Sequence, residues 1–207
     1  MVFLPHDKKG PLYDIARKFE QELIYGEIKF IEGKEKFSYP EIKYSFNQRD
    51  LSLHRSSSTV SELAPIFLSL KYFVKPDSLL IIEEPEAHLH PQNQRILAKL
   101  IVHLIRNGVR VLITTHSDFL LQQISNYILM SKLDENERIN LNNDEIGYLN
   151  ENEISVHRFE YSDMKGHTIK KVIINEKGIP QEEFVKIGND LYRESIKIQR
   201  NIENKTT

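Results

Sequence analysis

Two adjacent carboxylates, Glu83 and Glu84, close an otherwise apolar run at Leu79–Ile82, and Pro85 then stops it. A second apolar run, Val109–Thr114, leads directly into Thr115, His116 and Ser117. Two carboxylates and an imidazole gathered at one rim could direct a water molecule at a phosphoryl group with the help of Mg²⁺. One acid would serve the metal, the other would accept a proton, and the imidazole would hydrogen-bond the transferring group. Charge at the end of a buried strand is costly unless a metal or a proton offsets it. A plainer reading stays open: acids beside turns are commonly a solvated strand end. His116 has one too, as part of a polar cluster in which Ser117 caps the next helix.

Two further groups have the right types for chemistry. Ser56, Ser57, Ser58 and Thr59 stand at a helix start, where free N–H groups and hydroxyls can hold an anion or simply cap the helix. Glu86, His88 and His90 include a His-x-His pair, a zinc-like spacing when both side chains share one face of a strand. Pro85 before them, a helix after them and no further ligand close in sequence favour a turn instead.

Positioning these groups calls for two strands and a helix between them. Pro91 suits a first turn. Ile96, Leu97, Leu100, Ile101, Leu104 and Ile105 make one apolar stripe, and Asn107-Gly108 ends it. Phe119, Leu120, Ile124, Ile128 and Leu129 continue as another helix. A strand–helix–strand unit of this length implies a parallel pair. Leu79–Ile82 is apolar on both faces, as central parallel strands are, and Val109–Thr114 reads as a second buried strand; ligands bind beyond the C-terminal ends of such strands.

Upstream, the pattern predicts a short strand at Val2–Leu4 and a helix carrying Leu12, Ile15, Ala16, Phe19 and Leu23 on one face. From Glu27 to Phe46 it alternates as a hairpin turning at Glu32-Gly33-Lys34, with a third strand at Ile42–Phe46. Thr59-x-x-Glu62 reads as a capping box for a helix from Ser58–Val60 to about Phe73, which Pro65 should bend or delay. Downstream, Asp134–Asn152 reads as a polar loop with a short strand at Ile146–Leu149. Ile154–Tyr161 and Thr168–Asn175 flank Met164-Lys165-Gly166 as a hairpin. A last helix from near Pro180 carries a seam of Phe184, Ile187, Leu191, Ile198 and Ile202 and ends in a frayed tail, Lys205–Thr207. The expected fold is α/β: a mainly parallel sheet flanked by helices, with an antiparallel hairpin region on the N-terminal side and a hairpin plus helix at the C-terminus.

With 28 basic and 30 acidic residues the net charge is −2, so the global positive charge of a nucleic-acid binder is absent. There are no cysteines, which excludes disulfides and thiolate metal sites. No apolar run approaches the roughly 20 residues of a membrane span, and the N-terminus lacks a signal-peptide layout. A cytoplasmic protein without a membrane partner is expected.

In this order the pieces resemble the C-terminal half of an ABC/SMC-type ATPase head, and more closely the bacterial AAA-type ATPases related to the OLD (overcoming lysogenisation defect) family. LLIIEEPEAHLHP resembles their Walker B motif and D-loop, which implies Glu83 at the Mg²⁺ water shell, Glu84 as the catalytic base and His90 in the D-loop. LITTHSDFL resembles the switch-histidine segment, making His116 the γ-phosphate sensor. RSSSTVSEL resembles the degenerate signature motif, whose Ser56, Ser57 and Ser58 would face a nucleotide held by a partner subunit. The likeness is strong over Leu51–Leu129 and looser over Ile154–Ser195.

The resemblance implies one ATPase-head lobe over 1–207, with a hairpin region at 27–50, a signature, Walker B and switch-His core at 56–130, and a C-terminal hairpin and helix at 154–204. It further implies ATP and Mg²⁺ as cofactors, a homodimer or a complementary ATPase lobe as partner, and a nuclease acting on DNA in maintenance or phage defence. The pattern departs from the family in two ways. No GxxxxGK[ST] phosphate loop occurs, nor the Gln-bearing lid loop, and Glu83 replaces the usual Asp. The isolated chain is therefore expected to be inactive alone. A fragment, a split ATPase and a lobe that has lost nucleotide chemistry all fit, and the alternative function is a non-hydrolysing module that docks onto a partner.

Overall fold

The computed structural model describes residues 8–31, 41–142, 147–164 and 166–206. The strand expected at Val2–Leu4, the turn at Glu32-Gly33-Lys34 and the hairpin residue Lys165 lie outside them. The chain divides into two compact units, Met1–Leu149 and Asn150–Thr207.

In the first unit, apolar residues at helical spacing give α1 (Tyr13–Ile24), which buries Ala16, Phe19, Leu23 and Ile24. Its buried face packs against α2 (Ser58–Tyr72), which contributes Leu63, Ala64, Phe67 and Leu70. Each fully buried Leu or Phe contributes about 1.5–3 kcal/mol. Ser57 is the N-cap of α2, accepting from the Val60 N–H at 3.3 Å. The cap therefore lies two residues before the expected one, and Thr59 Oγ1 donates to the His88 carbonyl instead (3.0 Å). Pro65 sits inside α2 without delaying its start.

An antiparallel sheet of β1 (Glu27–Ile31), β2 (Glu41–Phe46) and β3 (Arg49–Ser52) follows α1 in sequence. The strand expected third, Ile42–Phe46, pairs directly with β1, and β3 is an element the sequence reading lacked. It forms because Asn47 and Gln48 both adopt left-handed φ, 47° and 61°, giving a tight turn without glycine. Between α1, β1 and α2 lies a fully buried ion pair. Lys71 Nζ meets Glu20 Oε1 at 2.7 Å and the Ile28 carbonyl at 2.6 Å. Glu20 also accepts from the Ile28 N–H at 2.8 Å and from Arg17 at 2.6 Å.

The strand pair at the centre of the candidate chemistry is β4 (Leu79–Glu83) and β5 (Arg110–Thr114), parallel, with Leu79 opposite Arg110 and Glu83 opposite Thr114. They are joined by α3 (Pro91–Arg106), capped by His90 and ended at Asn107-Gly108, where Gly108 has φ 78°. From β5 the chain enters α4 (Asp118–Met130), capped by Ser117. Leu97, Ala98, Ile101, Leu120, Ile124 and Ile128 are buried on α3 and α4, which pack together.

The expectation that both strands are buried is corrected. Leu80, Ile82, Val111 and Ile113 are half-buried, whereas Leu79, Ile81 and Leu112 are 54%, 61% and 54% exposed. Exposure alternates along both strands, so it is one pleat face of the pair that lies open; among the described residues β4 and β5 pair only with each other.

A short helix, α5 (Glu135–Asn142), replaces part of the expected polar loop. It starts in a reciprocal box in which Asp134 N–H donates to Glu137 (3.0 Å) and Glu137 N–H to Asp134 (2.9 Å). Residues 147–149 form no strand. Leu149 is instead pinned by its N–H to the Tyr127 carbonyl (2.9 Å).

In the second unit, β6 (Val156–Ser162) and β7 (Gly166–Val172) form the expected hairpin, and α6 (Glu182–Thr206) the last helix. Its seam residues Ile187, Leu191, Ile198 and Ile202 are 53–60% exposed, and the helix runs into the expected frayed tail as far as Thr206. The fold is α/β, a parallel sheet flanked by helices with antiparallel hairpins before and after it. Among the described residues no helix is long and apolar enough to cross a membrane.

Candidate functional site

Parallel register carries both strands to one rim. With Glu83 opposite Thr114, the next N–H, of Glu84, donates to the Thr114 carbonyl (3.0 Å) and hydroxyl (3.2 Å). Glu84 then turns into left-handed φ, 42°, a conformation that costs a non-glycine residue on the order of 1–2 kcal/mol. Its Oε1 lies 3.6 Å from His116 Nε2, and both side chains face solvent. Glu83 is exposed on the same pleat face as Leu79 and Ile81. A shallow cleft of about 300 Å³ runs beside β4, lined by Glu62, Pro65, Ile66, Leu80, Glu83 and Glu84. A second concavity holds Glu84, Glu86, Gln94, His116, Asp118 and Phe119.

The remaining candidates stand apart from this rim within the chain. Ser57 is engaged as a cap, and Ser56 Oγ donates to the Ser52 carbonyl at 3.3 Å. Ser58 is the first residue of α2, and the three serines line neither cleft. His90 Nδ1 accepts from the Gln92 N–H at 3.3 Å, capping α3. Glu86, His88 and His90 do not gather: among the described residues no group of three His, Cys, Asp or Glu could hold a metal. The reason is local. His88 has φ 63°, so the segment turns at Glu84 and again at His88 and sends Glu86 inward.

Gln94 is the residue sequence reasoning missed, and Glu86, weighed there only as a metal ligand, takes a different place. Glu86 is 7% exposed, and its Oε1 accepts from Thr115 Oγ1 (2.6 Å) and from the His116 N–H (2.9 Å). Gln94 donates to the Leu89 carbonyl at 3.0 Å and accepts from Ser117 Oγ. The turn after β4 is thus tied twice to the turn after β5. An acid two residues after Glu84, interrupting nothing apolar, gave no sign of pointing inward.

The profile of the AAA ATPase domain family matches residues 10–121, more than half of the chain. None of the curated proteins matches. A solved structure from work on ATP-driven dimerization and DNA-stimulated activation of SMC ATPases aligns with a TM-score of 0.51 at 13% identity, over 86% of this chain and 91% of that one. The Smc head domain of Pyrococcus furiosus with an extended coiled coil, bound to the C-terminal domain of ScpA, aligns with a TM-score of 0.48 at 14% identity, over 87% of this chain and 37% of that one. At 13% identity the first likeness is one of fold. The matched span contains the acidic pair, Glu86 and the imidazole, and through it the chain belongs to the AAA ATPase domain family.

Proposed function

We propose that the chain, 1–207 as one lobe, is the Walker B and signature half of an ABC-like ATPase related to the OLD type, which hydrolyses ATP on dimerisation in the cytoplasm. The observation that carries this is the 3.6 Å approach of Glu84 and His116 beyond the ends of two adjacent parallel strands. Glu84 is exposed and acidic, able to take a proton from an attacking water. His116 beside it can donate to a γ-phosphate oxygen as its charge grows. Mg²⁺ fits this donor set only in company, because it is commonly held by one or two carboxylates plus substrate phosphates rather than by an all-protein cage. Glu83 would contact it through water, and when bound it would neutralise phosphate charge. Ser56, Ser57 and Ser58, with His90 of the D-loop, would act on nucleotide bound by the other subunit.

Phosphate binding then has to come from a complementary Walker A lobe. The open face of β4 and β5 supports such a partner, since Leu79, Ile81 and Leu112 leave apolar surface where parallel sheets are ordinarily covered. By family analogy the assembled enzyme drives a nuclease on DNA, in maintenance or phage defence. A second reading, a docking module without hydrolysis, is favoured by the engagement of Ser57 with its own helix start and of Ser56 with the Ser52 carbonyl.

ATP turnover by the chain mixed with a Walker A lobe tests the proposal. The pair should hydrolyse ATP, Glu84→Gln should abolish turnover while sparing nucleotide binding, and the chain alone should bind ATP weakly and turn over none. Turnover by the pure chain would overturn the need for a second lobe. Assembly without turnover would favour the docking module.

A further inference from the structure

We infer that Glu86 is a positioning residue: it sets where His116 stands relative to Glu84. This rests on the ATPase reading for its purpose but not for its geometry. Glu86 Oε1 is the acceptor for the His116 N–H at 2.9 Å and for Thr115 Oγ1 at 2.6 Å. Thr115 Oγ1 accepts in turn from the Ser117 N–H at 3.0 Å. One buried carboxylate oxygen therefore organises the three residues that follow β5. It belongs to the same turn as Glu84, two residues on, so the acid and the imidazole at the rim are referenced to a common anchor.

The neighbouring geometry fits an anchor rather than a ligand site. Both turning points around Glu86, at Glu84 (φ 42°) and His88 (φ 63°), are left-handed. Such conformations persist when the surroundings over-determine them. Glu86 Oε2 is enclosed and, among the described residues, has no hydrogen-bond partner. Among the described residues the carboxylate's bonding is directed, through Oε1, at the turn bearing His116. A neutral amide and a hydroxyl are its donors among the described residues, and no salt bridge there explains why an acid is buried.

Amide hydrogen exchange on the full chain tests this without any nucleotide. Glu86→Ala should speed exchange at the His116 amide about tenfold, the loss expected for one intramolecular hydrogen bond, while amides in β5 and α3 keep their protection. Glu86→Gln keeps Oε1 and should restore protection at His116. If Glu86→Ala does not fold, Glu86→Asp, which withdraws the acceptor by one methylene, should show the same local loss. An unchanged His116 amide in either variant, or equal loss in Glu86→Gln, overturns the inference. In the assembled ATPase, Glu86→Ala should lower kcat with KM for ATP unchanged, and Glu86→Gln should recover it. If the assembled wild type never turns over ATP, the ATPase reading has failed, and the exchange result still decides the role of Glu86.

Discussion

Glu20 and Glu86 are both buried carboxylates in the first unit, and they are satisfied in opposite ways. Glu20 uses both oxygens, one on Lys71 and the Ile28 amide and the other on Arg17, so its charge is neutralised inside the core. Glu86 uses one oxygen, on an amide and a hydroxyl, and among the described residues leaves the other idle. The first node ties α1, β1 and α2 together. The second ties two turns whose next residues are the exposed Glu84 and His116. A closed node holds a fold, whereas an acid left half used beside an exposed pair points to a site arranged for something else.

The sharpest way to break this comparison is at Lys71. Lys71→Met leaves the buried Glu20 to Arg17 and orphans the Ile28 carbonyl, and should cost about 3–5 kcal/mol in urea unfolding. Adding Glu20→Leu should return part of it. Burial also holds Lys71 below its ordinary 10.5, against the pull of Glu20. The unfolded chain then binds the extra proton between the folded value and 10.5, so stability rises with pH across that window. Lys71→Met should flatten the rise.

Glu86→Ala is expected to cost less, about 1–3 kcal/mol, because it orphans one amide and one hydroxyl but no charge. A loss as large as that of Lys71→Met would erase the distinction between the nodes. Glu84→Gly should act in the other direction. It removes a left-handed non-glycine residue and should gain about 1 kcal/mol in thermal unfolding while removing the candidate base. Smallest of all, Ile81→Lys on the open sheet face should change the isolated chain by less than about 0.5 kcal/mol. Its effect should surface only as failure to assemble with a Walker A lobe.

Much of the fold was legible because its signals are local. The apolar runs of β4 and β5, the stripe of α3 and the glycine at Gly108 each name their element without help. One local signal was present and passed over: Asp134-x-x-Glu137, which starts α5; of the Ser56–Thr59 residues read as possible caps, Ser57 rather than Thr59 caps α2. The turn at Asn47-Gln48 was hidden because neither residue is the glycine that usually announces it. Exposure of Leu79, Ile81 and Leu112 could not be read, since an apolar run records that both faces of a strand can be covered, not that both are. At the rim, Glu84 and His116 were found by their types, but the inward swing of Glu86 depends on backbone angles at Glu84 and His88 that no residue type dictates.

The last helix carries its own consequence. At 25 residues it is a rod about 37 Å long, with a greasy stripe turned to water. Most of a helix's stability in a protein comes from packing its apolar face, and this one leaves Ile187, Leu191, Ile198 and Ile202 more than half exposed. Limited protease digestion should whittle the molecule from this end first, and the trimming should stall when it reaches the tightly packed first unit.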